Sequence, residues 1–156
     1  FRHGDRTPVR TYKNDKYQES TWEKYGGFGQ ITQTGMRRHF EYGKFLRQQY
    51  DQFLNETYNR NRVLVRSSDF DRTIMSAESL LAGLYPPVNY QVWNPDIKWQ
   101  PIAVHTTEAK YDMLFFTNNC SRLEQLKRQV ESTDEYKRLN NQYEVGFLFF
   151  DLEPII

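Results

Sequence analysis

Residues 1–8 constrain this chain more than any other stretch. They read Phe-Arg-His-Gly-Asp-Arg-Thr-Pro, so two arginines, a histidine, a glycine and a proline stand at fixed spacing in one short loop. A basic loop with a histidine is more often a solvated surface turn. A chance match to Arg-His-Gly-x-Arg-x-Pro, however, is expected on the order of once in a few million positions. The spacing therefore favours a functional loop.

The residue types of this loop predict an anion pocket that contains a nucleophile. Arg2 and Arg6 present planar forks of N–H donors, which bind phosphate or carboxylate bidentately. His3 carries a ring nitrogen that attacks phosphorus or moves a proton near neutral pH. Gly4 has no Cβ, so its backbone approaches an anion closely.

Composition excludes several classes of partner. The chain has 21 Lys and Arg against 20 Asp and Glu, a net charge of +1, so no global field draws it to nucleic acid or to a membrane surface. No apolar run reaches the length of a membrane span. Aromatic residues make up 16% of the chain, which indicates a folded globule rather than a disordered one.

Hydrophobic periodicity predicts a mixed α/β fold. A helix is predicted from Thr32 or Thr34 to about Leu54. Its apolar stripe comprises Met36, Phe40, Phe45 or Leu46, Tyr50 and Phe53. A second helix is predicted over 72–84, between a buried strand at 62–66 and a possible strand at 102–104. This order predicts a parallel sheet with helices on its faces.

Two basic side chains lie at the ends of the predicted strands. Arg66 closes the first strand and His105 follows the second. Ligands in open α/β sheets bind in the crevice beyond the carboxyl ends of the strands, so both residues are candidates for the same pocket. A salt bridge from Arg66 to Asp69 or Asp71 is the alternative that the spacing leaves open.

Further signals concern the compartment and the chain ends. Sequons at Asn55 and Asn119 predict glycosylation and favour the secretory pathway. Cys120, the single cysteine, is either a free thiol or one half of a disulfide. The chain starts directly on the loop, and residues 146–156 form an atypical apolar tail. We therefore expect a missing strand before residue 1, and either missing sequence or a non-native tail at the other end.

Several blocks outside the loop strengthen a resemblance that Arg-His-Gly-Asp-Arg-Thr-Pro itself carries. They are Gly-Phe-Gly-Gln-Ile-Thr at 27–32, Gly-Met at 35–36, Val-Arg-Ser-Ser-Asp at 65–69, Asp-Arg-Thr-Ile-Met-Ser-Ala at 71–77, Trp-Asn-Pro at 93–95 and Trp-Gln-Pro-Ile-Ala-Val-His-Thr at 99–106. Over roughly residues 1–145, the chain resembles the histidine acid phosphatases of the animal prostatic and lysosomal type.

The resemblance implies a phosphoglycerate-mutase-like fold, a three-layer α/β/α sandwich of which this chain holds an incomplete part. Residues 1–109 are predicted to be a partial α/β catalytic domain, and 110–145 the start of a helical cap region. The family acts on phosphate monoesters, small or protein-borne, and needs no metal or other cofactor. The resemblance also implies a secreted or lysosomal protein, a possible homodimer, and no nucleic-acid partner.

By the same resemblance, His3 is the nucleophile that forms a phosphohistidine, and Arg2, Arg6 and Arg66 bind the phosphoryl oxygens. The alternatives are a related histidine phosphatase, such as a phytase or a mutase, and a non-catalytic phosphoanion-binding glycoprotein.

The chain departs from the family pattern in one respect. The family carries a late His-Asp pair whose aspartate protonates the leaving oxygen. The histidines here are His3, His39 and His105, and none is followed by aspartate; His39 is predicted to be structural. A general acid contributes roughly 10²–10⁴ in rate, so we expect these 156 residues alone to be nearly inactive.

Overall fold

The computed structural model describes residues 1–116 and 120–147, which are mainly helical. The α-helices are α1 (Gln33–Gln49), α2 (Asp71–Leu84), α3 (Ser121–Glu131) and α4 (Asp134–Phe147), and short 3₁₀ helices lie at Glu19–Tyr25, Asn89–Gln91 and Ala109–Tyr111. The chain divides into two compact units, Phe1–Ala109 and a second that begins at Lys110. Their assignment as a partial catalytic domain and the start of a cap region stays a prediction.

The first unit is built on the crossing of α1 and α2. At the crossing, Gly43 of α1 faces the backbone of Leu80, and Gly83 of α2 faces the backbone of Phe40. A Cβ on either glycine would overlap a main-chain carbonyl oxygen of the other helix. The two helices therefore touch through main-chain atoms. Around the crossing, the apolar core comprises Ile31, Ala77, Leu80, Leu81 and Tyr85.

The start of α1 confirms the sequence prediction, but its end does not. Thr32 caps the helix, with its hydroxyl accepting from the Gly35 N–H at 3.2 Å. The helix ends at Gln49 instead of about Leu54. The Arg47 guanidinium donates to the Leu54 carbonyl at 2.6 Å and to the next carbonyl at 2.8 Å, so the chain turns back over the last helical turn.

The predicted apolar stripe of α1 is only partly buried, since Met36 and Leu46 are half-buried. Its aromatic members are largely exposed, and Phe53, beyond the helix end, is 83% exposed. The buried residues of α1 are Gly35 and Gly43. Gly43 follows Phe40 by three residues and so lies on the face that the stripe marks, where the close contact is made by main chain and not by the large apolar side chains. For α2, by contrast, the prediction over 72–84 is confirmed by Asp71–Leu84.

The two predicted strands are reduced to one parallel bridge between Arg66 and His105. The His105 N–H donates to the Val65 carbonyl, and the Ser67 N–H donates to the His105 carbonyl, each at 3.0 Å. Helix α2 lies between these segments in the chain, so the strand–helix–strand order holds. The prediction of a buried strand at 62–66 is wrong, because Leu64 is 74% exposed.

In the second unit, the fully buried Asp112 carboxylate accepts from the N–H groups of Leu114 and Phe115 at 2.8 and 3.0 Å. Helices α3 and α4 follow.

Most of the predicted apolar tail, residues 148–156, lies outside the described residues. No helix in 1–116 or 120–147 is both long and apolar enough to cross a membrane.

Candidate active site

The opening loop forms an open pocket of about 270 Å³, lined by Arg2, His3, Gly4, Asp5 and Arg6. Main-chain bonds fix the second half of this loop against the segment before α1. The Thr7 N–H donates to the Gln30 carbonyl at 2.9 Å, and the Thr32 N–H donates to the Asp5 carbonyl at 2.8 Å. This antiparallel bridge holds the predicted loop residues in one pocket.

The His3 side chain is held in one tautomer by its own loop. Its Nδ1 lies 2.8 Å from the Gly4 carbonyl oxygen. Because a carbonyl only accepts, Nδ1 carries a proton, so in the neutral imidazole the free lone pair lies on Nε2. A neutral imidazole with a free Nε2 is the form in which histidine attacks an electrophile.

Gly4 connects the loop to both long helices. Its N–H donates to Ser76 Oγ in α2 at 3.0 Å, and the Ser76 hydroxyl in turn donates to the Arg72 carbonyl at 2.5 Å. On the side of α1, a Cβ on Gly4 would lie 2.9 Å from the Gly35 Cα. A Cβ on Gly35 would in turn overlap the Asp5 backbone. The loop thus fits against α1 only with glycine at both positions.

His39 has the structural role expected of it. Its Nε2 lies 3.0 Å from the Arg2 carbonyl oxygen and its Nδ1 lies 3.2 Å from the Gly35 carbonyl oxygen. The Phe1 ring packs beside it, with centroids 5.2 Å apart. His39 therefore holds the first residues of the loop on α1 and does not line the pocket.

Thr7 locks the end of the loop to the turn at 26–30. It is 1% exposed, and its hydroxyl donates to the Gly27 carbonyl at 2.8 Å while accepting from the Gln30 N–H at 3.0 Å. Next to it, the Gly29 N–H donates to the Pro8 carbonyl at 2.7 Å.

Thr7→Val keeps the side-chain volume but leaves the Gln30 N–H and the Gly27 carbonyl without this partner. We expect the free energy of unfolding to fall by about 1–3 kcal/mol, the usual cost of a buried group left unsatisfied. Urea denaturation measures this loss, which should lower the midpoint without changing the m-value. Thr11→Val, which removes a half-exposed bond to Asp15, is the control, and we expect it to cost less than about 0.5 kcal/mol. Equal losses would contradict this role of Thr7.

Arg6 and Arg72 place two positive charges close together. Burial, followed by the charge of Arg6, lowers the pKa of the Arg72 guanidinium below its usual value. The Nε atoms of both arginines are buried without a hydrogen-bond partner. Among the described residues neither guanidinium has a carboxylate partner. Two half-buried cations close together without a carboxylate partner favour an anion between them.

Arg72 also stands in the first turn of α2. The guanidinium carbon lies 4.4 Å from the centroid of the Phe70 ring, which holds the side chain in place. A cation at the N-terminus of a helix is disfavoured by the helix dipole. A bound anion would offset both the charge of Arg72 and the positive end of the helix dipole, which explains an arginine in the first turn of α2.

Arg66 and His105, the strand-end candidates, lie opposite each other in the parallel bridge. Arg66 Nη2 donates to Thr107 Oγ1 at 3.0 Å, and both Arg66 and His105 are exposed. The lining of the loop pocket does not include them. Their role in the site remains a prediction.

Arg72 and Ser76 lie beside the loop but were not singled out as site candidates from the sequence. Arg72 belongs to a block that carries the family resemblance, but spacing alone does not distinguish it from Arg66 as the third arginine. The available signal was an arginine in the first turn of a predicted helix, where the dipole disfavours it. Ser76 gave no signal, because a serine inside a helix commonly bonds back to the carbonyl four residues earlier.

The remaining candidates are the two sequon asparagines and the cysteine. Asn55 is exposed, and the Cys120 thiol is free and half-buried. Asn119 lies outside the described residues. No group of three or more His, Cys, Asp or Glu side chains within 1–116 and 120–147 has a geometry that would hold a metal ion.

The sequence from residue 1 to 148 matches the histidine phosphatase superfamily (branch 2). The chain belongs to this family. Human lysosomal acid phosphatase is 53% identical over 139 residues, which are 88% of this chain and 32% of that protein. The rat lysosomal acid phosphatase is 51% identical over 91% of this chain and 34% of its own length. Bovine prostatic acid phosphatase is 46% identical over 92% of this chain and 37% of its own length.

The chain therefore spans about a third of the length of these relatives. A crystal structure of a Klebsiella phytase covers 94% of this chain with a TM-score of 0.52 at 20% identity, and 37% of that structure is matched. The predicted fold class, an α/β fold of the histidine phosphatase type, is confirmed. The chain corresponds to one part of that fold.

Proposed function

We propose that this chain supplies the nucleophilic half of an acid phosphatase active site, which hydrolyses phosphate monoesters through a phosphohistidine. The observation that carries the proposal is the bond from His3 Nδ1 to the Gly4 carbonyl, because it selects the neutral tautomer whose lone pair is on Nε2, in a pocket flanked by Arg2 and Arg6. Membership of the family supports the same reaction.

In the proposed reaction, His3 Nε2 attacks phosphorus and the bond from phosphorus to the ester oxygen breaks. The leaving oxygen takes a proton from a general acid, which the resemblance assigns to the aspartate of a His-Asp pair. Water then attacks the phosphohistidine and releases inorganic phosphate and free His3. Such transfers depend mainly on positioning and on stabilisation of the phosphoryl oxygens, and arginine forks provide both.

Arg2 and Arg6 are the proposed ligands of the phosphoryl group, and we propose Arg72 as the third. Its support is its place beside Arg6 at the start of α2 and the cost of two adjacent unpaired cations. The sequence favours Arg66 for this role, and Arg66 remains the alternative. His105 is a further proposed pocket residue.

The substrate class, partners and location are part of the same proposal. Small-molecule or protein phosphate monoesters are the proposed substrates, without a metal or other cofactor, and a homodimer is the proposed assembly. The relatives named lysosomal and prostatic acid phosphatase favour the secretory pathway or the lysosome. Glycosylation at Asn55 and Asn119 agrees with that location.

Trapping the covalent intermediate tests the proposal. The full-length protein is mixed with a ³²P-labelled phosphate monoester and quenched within milliseconds in alkali. We expect one label on His3, stable to alkali and labile to acid, as is usual for a phosphoramidate. His3→Ala is the control and takes up no label. Hydrolysis of the ester by wild-type protein without this label, or with the label on another residue, would contradict the mechanism.

A further inference from the structure

We propose that Ser76 is the positioning residue of the nucleophile: its hydroxyl holds Gly4 so that the Gly4 carbonyl keeps the proton on His3 Nδ1. The inference rests on the proposed function of His3. Ser76 lies in the middle of α2, 0% exposed, and does not line the pocket. Its effect on the reaction would be exerted entirely through Gly4.

The contacts form a short chain from helix to nucleophile. The Ser76 hydroxyl donates to the Arg72 carbonyl at 2.5 Å, which orients its lone pairs away from the helix axis. One lone pair accepts from the Gly4 N–H at 3.0 Å. The carbonyl of that same Gly4 accepts from His3 Nδ1 at 2.8 Å. Gly4 therefore takes part in both bonds: its N–H is held by α2, and its carbonyl orients the His3 ring.

Gly4 needs such a restraint because it is glycine. Its close contact with Gly35 excludes any residue with a Cβ. Glycine, however, has the widest range of backbone angles, so nothing intrinsic to Gly4 keeps its carbonyl turned toward the His3 ring. Asp5 and Thr7 are held by the bridge to the segment before α1, and Arg2 is held by His39. Ser76 supplies the restraint between these two anchors.

The bond also ties the nucleophile to Arg72. The Ser76 hydroxyl joins the loop to the main chain of the residue that we propose as the third arginine. A shift of the loop relative to α2 would therefore change the spacing between His3 and that guanidinium. Misplacement of a reacting group by about 1 Å costs up to roughly a hundredfold in rate.

The test compares Ser76→Ala and Ser76→Cys with Ser79→Ala in the full-length protein. Ser79 Oγ also donates to the carbonyl four residues earlier, Met75, at 2.7 Å, so its removal reproduces the loss within the helix without touching the loop. Ser76→Cys keeps a side chain in the buried site but replaces the oxygen with a weak acceptor.

We expect both Ser76 variants to slow formation of the phosphohistidine by about ten- to a hundredfold in single-turnover experiments. The Kd for inorganic phosphate should change by less than about threefold, because the arginines remain. The ¹⁵N spectrum of His3 should change from a single tautomer with a protonated Nδ1 to a mixture. Ser79→Ala should alter none of these quantities by more than about twofold.

Two results would overturn the proposal. One is a Ser76 variant whose His3 tautomer and rate of phosphohistidine formation match those of Ser79→Ala. The other is measured on the wild-type protein. If the Gly4 amide exchanges with deuterium as fast as an exposed amide, it is not hydrogen-bonded to Ser76. If wild-type protein forms no phosphohistidine, the proposed function fails instead, and the tautomer and exchange measurements still decide the role of Ser76.

Discussion

Replacing Arg72 with glutamine is expected to lower kcat/KM for a phosphate monoester by about 10²–10³-fold, the usual effect of removing one preorganised charged donor from a transition state. Arg72 is partly buried, near Arg6, and without a carboxylate partner among the described residues. Its charge is therefore not neutralised before an anion binds. Steady-state kinetics of the full-length protein on p-nitrophenyl phosphate measures the effect.

Arg66→Gln is the matched control, because it makes the same substitution at the arginine that the sequence favours as the third phosphate ligand. Arg66 is exposed and already bonded to Thr107 at 3.0 Å. We expect it to change kcat/KM by less than about threefold. Arg72→Lys should recover little, since an ammonium group lacks the planar fork. A large loss of kcat/KM for Arg66→Gln with a small loss for Arg72→Gln would instead identify Arg66 as the third phosphate-binding arginine.

Replacing Gly43 with alanine is expected to lower the free energy of unfolding by about 3 kcal/mol or more, the upper end of the range for overpacking. Helix propensity alone predicts the opposite sign, since alanine in a helix is favoured over glycine by about 1 kcal/mol. The steric term decides, because the new Cβ would meet the Leu80 carbonyl, a main-chain atom that no side-chain rotation removes. Denaturation by urea measures the change.

Gly83→Ala, on the other side of the same crossing, should lose a similar amount because its Cβ would meet the Phe40 carbonyl. Gln48→Ala is the control on an exposed position of α1. It should leave stability unchanged or raise it by a few tenths of a kcal/mol. A Gly43→Ala protein as stable as Gln48→Ala would show that α1 and α2 are not in main-chain contact.

The residue types of the loop were enough to predict which side chains share a pocket, but not which groups orient them. Residue types alone identified Arg2, His3 and Arg6 as one pocket, and the structure brings them together. The acceptor that fixes His3 is the carbonyl of Gly4. Every residue has a carbonyl, so no pattern of side chains marks the one that a histidine will face.

Hydrophobic periodicity predicted the buried face of α2 fully and that of α1 only in part. The apolar face of α2 is buried at Ala77, Leu80 and Leu81. On α1, the closest contacts are made by Gly43 with α2 and by Gly35 with the opening loop, and glycine carries no hydrophobic signal. The parallel pairing of Arg66 with His105 was expected from the strand order, but strand length depends on neighbouring strands and not on the segment itself.

The main-chain contact of α1 with α2 at Gly43 and Gly83 makes the geometry of the site tolerant of sequence change. Ser76 holds the loop from α2, while Gly35 and His39 hold it from α1. The separation of these anchors is set where main chain meets main chain, by atoms that are the same whatever side chains the rest of the two helices carry. Mutations on the exposed aromatic face of α1 can therefore accumulate without altering the dimensions of the pocket.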